Sequence, residues 1–164
     1  ATMFGRTTKE ILIHTKTLQA PLVVNADNRQ IEQVLLNIFV NAWQAMPDGG
    51  ELYLETSRVE FDLTDCRQHQ IEPGKYARVS VTDTGIGMDE VTLRRIFDPF
   101  FSTKEKGRGT GLGLASAYGI TKNHGGTITV YSEVGQGTTF NLYLPISNHE
   151  VHREETVEEG LFKG

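Results

Sequence analysis

Apolar positions along this chain recur with two different periods, and the changes of period mark out its elements. From Gln30 to Met46, the residues Ile31, Val34, Leu35, Ile38, Ala42 and Ala45 return every three or four positions, which makes one apolar face of a helix. Asp27 offers that helix an N-cap, and Pro47-Asp48-Gly49-Gly50 stops it. Elsewhere the period falls to two. Glu10 to Leu18, Glu51 to Val59, Tyr76 to Asp83, and the pair Thr127 to Ser132 and Thr138 to Leu144 read as strands, the last two as a hairpin across Gly135-Gln136-Gly137. Leu22 to Asn25, after the break at Ala20-Pro21, reads as a further short strand. Asp89 to Phe97 predicts a short helix, and Thr110 to His124 a longer one with a glycine-rich start, closed by Gly125-Gly126. The polar connection from Glu60 to Gly74 reads as a long hairpin loop, and Asp98 to Arg108 as an open one.

Composition narrows the class. A chain of 164 residues with 38% hydrophobic and 23% charged residues suits one globular domain with its own core. A net charge of −5 argues against a nucleic-acid surface, because phosphate backbones want a basic footprint. The single cysteine, Cys66, excludes an internal disulfide and a cysteine-based zinc cluster. No apolar run approaches the roughly 20 residues that span a bilayer, so a soluble, cytoplasmic piece without direct membrane contact is expected, whatever anchors a parent chain. Residues 1–9 read as the remnant of a linker, 10–146 as the domain, and 147–164 as an acidic C-terminal linker.

Four stretches carry candidate chemistry. Asp83, at the end of a strand, is an acceptor-only carboxylate suited to the exocyclic amine of adenine and repelled by the carbonyl that guanine carries there. Gly85 and Gly87 behind it would let the backbone approach a base and take up positive φ. The run from Gly107 to Leu114 alternates glycine with other residues as a helix begins, which exposes N–H groups at the positive helix end for an anion. It is neither a Walker A loop nor a dinucleotide fingerprint, since no Gly-Lys-Ser/Thr follows and a loop precedes it. Asn37, Asn41 and Gln44 share a stripe beside the apolar face of the first helix, although asparagine is a poor helix former. The Asn41 carboxamide would complete a magnesium shell without setting a carboxylate against phosphate, and Asn37 would bond a bridging water or orient Asn41. Between these parts, Arg94 to Lys106, with Phe97, Phe100, Phe101 and Lys104, reads as a lid that brings Lys104 toward the terminal phosphates.

Taken in order, Asn37-x-x-x-Asn41-Ala42-x-x-Ala45, Asp83-Thr84-Gly85-Ile86-Gly87, Phe97-Asp98-Pro99-Phe100-Phe101, Gly109-Thr110-Gly111-Leu112-Gly113-Leu114 and Gly137-Thr138 resemble the N box, first glycine box, F box, second glycine box and final glycine-threonine of the sensor histidine kinases. The likeness is to the NtrB-like or hybrid branch and covers about Ile11 to Pro145. It implies an α+β fold, the two-layer α/β sandwich of the Bergerat type, with a mixed, mostly antiparallel sheet, helices on one face and an ATP lid. It further implies ATP and Mg2+ as ligands, with Asn41 on the metal, Asp83 on adenine, and Gly85, Ile86 and Gly87 lining the base with Ala45 and Phe97. Gly109, Thr110, Gly111, Leu112 and Gly113 then contact phosphate, and Thr138 bonds near the adenine through Asp83 or water.

Two departures matter. Many members have lysine where this chain has Gln44, which leaves more of the phosphate contact to Lys104. Topoisomerase-like relatives place a general-base glutamate at the position of Asn37, and its absence favours a kinase over a gyrase- or mismatch-repair-type ATPase. The acceptor is missing, since no histidine begins a His-Glu or His-Asp motif on a predicted helix; His149-Glu150 lies in the acidic tail. The expected partners are therefore a histidine-containing dimerisation domain of the same parent protein and a response-regulator receiver domain. A nucleotide-binding docking module is the remaining alternative, with Leu36 and Trp43, off the main apolar face, as its surface.

Overall fold

The structure, a computed structural model, describes residues 9–18, 21–99, 101 and 113–147. Its frame is a five-stranded sheet built from β1 (Ile11–Lys16), β2 (Gly50–Phe61), β3 (Gly74–Asp83), β4 (Thr127–Glu133) and β5 (Gly137–Pro145), in the spatial order β1-β2-β3-β5-β4. The β1–β2 pair is parallel and the other three are antiparallel, so the sheet is mixed and mostly antiparallel. The helices are α1 (Asn28–Ala45), α2 (Leu63–His69), α3 (Glu90–Arg95) and α4 (Gly113–Asn123).

Strand alternation decides where the core lies. Val81 of β3 and Phe140, Leu142 and Leu144 of β5 turn toward Val34, Ile38 and Ala42 of α1 and Ala117 of α4, and all are buried. The intervening residues face away and are largely polar. There Arg78 Nε donates to Ser57 Oγ at 2.9 Å, Thr82 and Thr139 pair their hydroxyls at 2.9 Å, and Ser80 bonds Asn141.

Helix α1 begins where predicted, with the Asp27 side chain accepting from the N–H groups of Arg29 and Gln30. It is tied to α4 at both ends of the latter. Asn37 Nδ2 donates to the Gly113 carbonyl at 2.8 Å, while past the far end the Asp27 N–H donates to His124 Nε2 at 3.2 Å. Because Nε2 accepts there, the ring hydrogen sits on Nδ1, which reaches the Ile120 carbonyl at 2.8 Å.

Two expected elements differ. The connection after β2 is not simply the long hairpin loop expected but holds α2, nucleated by a reciprocal capping box between Asp62 and Asp65. Its Cys66 is buried; burial first, then the Asp65 carboxylate, pushes the thiol pKa up, so the side chain packs as a neutral apolar group. The Phe61 ring joins His69 of α2 to Tyr76 and Tyr143, forming a small aromatic cluster at the end of the sheet. Leu22 to Asn25 forms no strand. It contributes one bridge, Val24 to Ile146, and a bond from the Ser147 N–H to the Val23 carbonyl at 2.9 Å. Leu36 and Trp43 lie outside the core, each 54% exposed. Trp43 lines an apolar groove of about 370 Å³ with Phe39, Val40, Ile11 and Ile13.

Candidate functional site

Asp83 ends β3 with 1% of its surface exposed. Its carboxylate accepts from the Gly85 N–H at 2.8 Å and faces the N–H of Thr138, its cross-strand neighbour on β5. Burial dominates and raises the carboxyl pKa above the usual carboxylate range, while the two N–H groups oppose that rise.

The loop that follows is tied to its surroundings from end to end. Thr84 exchanges bonds with Glu51, its N–H reaching the Glu51 carbonyl at 3.2 Å and its Oγ1 accepting from the Glu51 N–H at 3.0 Å. The Ile86 N–H donates to the Ala45 carbonyl at 2.9 Å, in the last turn of α1, and the Ile86 carbonyl accepts from Gly135 at 2.7 Å. The Met88 N–H closes the loop on Ser132 Oγ at 2.8 Å. Ile86 itself points outward, 61% exposed.

Both predicted glycines are required, though not in the same way. Gly87 has φ of +72°, as expected, and a Cβ there would lie 2.0 Å from the Glu133 carbonyl oxygen. Gly85 does not take a positive φ; what excludes a side chain is α1, whose Ala45 carbonyl oxygen would sit 2.3 Å from its Cβ. The same Ala45 carbonyl thus both fixes Ile86 and crowds Gly85.

On α1 the asparagines divide their tasks. Asn37 is engaged at both ends of its amide: its Oδ1 accepts from Gln33 Nε2 at 3.1 Å and its Nδ2 donates to the Gly113 carbonyl. Asn41, one turn on and half-buried, makes no side-chain hydrogen bond among the described residues. Thr138 reaches Asp83 through its backbone N–H, and its hydroxyl meets Ser132 Oγ at 2.8 Å.

The first part of the expected lid is packed down. Arg94 and Arg95 belong to α3, capped by Asp89, and Phe97 packs against Tyr118 of α4 in a tilted ring pair with centroids 5.0 Å apart. Phe101 packs against the core beneath the Arg95 guanidinium, 4.7 Å from its ring centre. Phe100, Lys104, Lys106, Gly109, Thr110, Gly111 and Leu112 lie outside the described residues, so the site's phosphate side is represented by Gly113 alone. Sequence reasoning missed Ser132 and Gln33. Neither sits in a chemically marked pattern, and each matters through a partner distant in the chain or one turn away on a helix.

A mixed sheet backed by α1 and α4, with a buried strand-end carboxylate beside a glycine-bearing loop, defines a Bergerat-type nucleotide-binding sandwich. The chain belongs to the histidine kinase-, DNA gyrase B-, and HSP90-like ATPase family, which it matches over residues 26–148. Within that family its likeness is to sensor histidine kinase catalytic domains. It is 47% identical over 123 residues to sensor kinase CckA of Brucella abortus (strain 2308), covering 74% of this chain and 13% of that protein. It is 40% identical over 124 residues to sensor histidine kinase ZraS of Escherichia coli (strain K12), covering 76% of this chain and 23% of the other. Among solved structures, full-length ShkA in complex with AMPPNP superposes with a TM-score of 0.65 at 30% identity, over 84% of this chain and 26% of that one. The chain therefore spans less than a quarter of the curated relatives CckA and ZraS. No helix among the described residues is long and apolar enough to cross a membrane.

Proposed function

We propose that this domain binds Mg-ATP and donates the γ-phosphoryl group to a histidine on a separate dimerisation and phosphoacceptor domain of the same parent protein, for relay to a response-regulator receiver domain. The observation that carries the reading is Asp83, a buried carboxylate braced by backbone N–H groups at the base of a loop whose own hydrogen bonds are already made. An acceptor in that setting suits the adenine amine, with Gly85, Ile86 and Gly87 along the base and Ala45 and Phe97 behind. Gly113 and the preceding Gly109, Thr110, Gly111 and Leu112 supply N–H groups to phosphate at the start of α4. Lys104 is the cation this reading assigns to the γ-phosphate charge. ShkA, solved with AMPPNP, supports an adenine nucleotide as the ligand.

The residues present fit magnesium. Among the described residues no group of three or more His, Cys, Asp or Glu side chains is placed to hold a metal ion. The Asn41 carboxamide, a neutral oxygen donor without a partner among the described residues, is the natural protein contribution to an ion otherwise held by phosphate and water. When bound, the ion would neutralise phosphate charge; the chain's own task is to position the nucleotide for in-line attack by the histidine nitrogen. Asn37 carries no base and is engaged with Gln33 and Gly113, which argues against a hydrolytic role of the gyrase or mismatch-repair kind.

The test is to mix the domain, γ-labelled ATP and a histidine-bearing helical hairpin from the parent protein. Label on the hairpin, lost with Asn41→Ala, is expected. Rapid hydrolysis by the domain alone with an unlabelled hairpin would make it an ATPase, and binding without either would make it a docking module, whose surface would be the groove beside Trp43.

A further inference from the structure

Across the sheet from Asp83, one strand beyond Thr138, lies the buried hydroxyl of Ser132. Ser132, on β4 and 6% exposed, makes three hydrogen bonds to two segments: it donates to the Gly137 carbonyl at 2.9 Å, meets Thr138 Oγ1 at 2.8 Å and accepts from the Met88 N–H at 2.8 Å. A serine hydroxyl has one hydrogen and two lone pairs. A carbonyl cannot donate, so the Ser132 hydrogen belongs to Gly137, and the Thr138–Ser132 bond is made by the hydrogen of Thr138. Every donor and acceptor site of Ser132 is then filled.

The consequence falls on Thr138, which is 4% exposed and directly opposite Asp83 across the β3–β5 ladder. Residues so paired project to one face with Cβ atoms roughly 5 Å apart. With its hydrogen turned back into the protein, Thr138 Oγ1 offers only lone pairs toward its neighbours. We propose that Ser132 is a specificity-positioning residue: by holding the Thr138 hydrogen it leaves Asp83 and Thr138 as a pair of acceptors, which admits a base carrying an exocyclic amine and disfavours one carrying a carbonyl there. Through the Met88 N–H, the same serine also fixes the end of the loop that begins at Asp83.

This inference rests on Asp83 as the base reader, and the experiment separates the two. Affinities for ATP and for inosine triphosphate, which has a carbonyl in place of the adenine amine, are measured by calorimetry on the 164-residue chain and on Ser132→Ala and Asp83→Asn variants. In Ser132→Ala the Thr138 hydroxyl is free to turn and donate, so the preference for ATP over inosine triphosphate is expected to fall roughly three- to tenfold, the weight of one hydrogen bond. An unchanged preference, with both affinities lowered equally, would make Ser132 a packing residue and overturn the proposal. If Asp83→Asn also leaves the preference intact, the base-reading assignment itself fails; if Asp83→Asn shifts it and Ser132→Ala does not, only the role of Ser132 falls. Should Ser132→Ala fold poorly, Ser132→Cys fills the same space with a weak hydrogen-bonding group and is held to the same outcomes, while Ser132→Thr should restore the preference.

Discussion

Between Asp83 and Met88, backbone groups are bonded to Glu51, Ala45, Gly135, Ser132 and the Asp83 side chain itself, whereas on the adjoining stretch of α1 the Asn41 carboxamide has no partner among the described residues. The first region is preorganised: its shape is set before any ligand arrives, and little ordering cost remains to be met on binding. The second holds a donor in reserve. A half-buried carboxamide of this kind keeps its oxygen accessible to an incoming group of matching chemistry. Shape and charge neutralisation are thus assigned to different elements, and mutations should separate them.

The largest effect should come from breaking the preorganised side. Gly85→Ala drives a methyl into the Ala45 carbonyl, a backbone group with no room to yield, and overpacking of this kind should cost about 3 kcal/mol of stability in a denaturant titration. Nucleotide binding should be lost with it. Asn41→Ala should do the opposite: unfolding is unchanged, while affinity for Mg-ATP falls roughly 10–100-fold, the range seen when a metal site loses a supporting group. Chelating the metal should abolish the difference between variant and parent; if it persists under chelation, Asn41 serves something other than an ion.

A smaller effect concerns pH. Because burial raises the Asp83 pKa in the folded state, the fold binds that proton more tightly than the unfolded chain does. Its contribution to stability is therefore full below the unfolded pKa and is lost as pH rises through the folded one. Asp62 and Asp89, lowered by their helix-cap hydrogen bonds, run the other way and lose their stabilisation as pH falls. Subtracting the Asp83→Asn stability curve from that of the parent isolates the Asp83 component, which should decline with rising pH across the acidic range. ATP affinity should rise over the same range as the acceptor ionises. The smallest change is expected for Gln33→Ala, which removes one exposed bond to Asn37 and should weaken nucleotide binding about two- to threefold, on the order of a single surface hydrogen bond.

What the sequence discloses follows the range of each interaction. Helix α1, its Asp27 cap, α3 behind Asp89 and the β4–β5 hairpin are written in local periodicity and turn chemistry, and they stand as read. Helix α2 is too short, at 7 residues, to establish a period, and its polar composition outweighs the Asp62–Asp65 cap that announces it. Leu22 to Asn25 has strand-like residues but follows Pro21, which lacks an N–H, and finds only one bridging partner. At the candidate site, Asp83, Asn41 and Gly87 could be singled out by chemistry and spacing. The reasons for Gly85 and Ser132 could not, because they depend on the Ala45 and Gly137 carbonyls, backbone atoms brought close only by the fold.

The bond between Asp27 and His124 carries a mechanical implication. It pins the chain just past the C-terminal end of α4 to the cap of α1, and Asn37 grips α4 at Gly113, 11 residues back. At a rise of 1.5 Å per residue the helix is a beam of about 16 Å, so a swing of some 4° about the histidine moves Gly113 by about 1 Å. With His124 at one end and Asn37 at the other, any rotation of α4 about the histidine would act directly on the bond between Asn37 and Gly113.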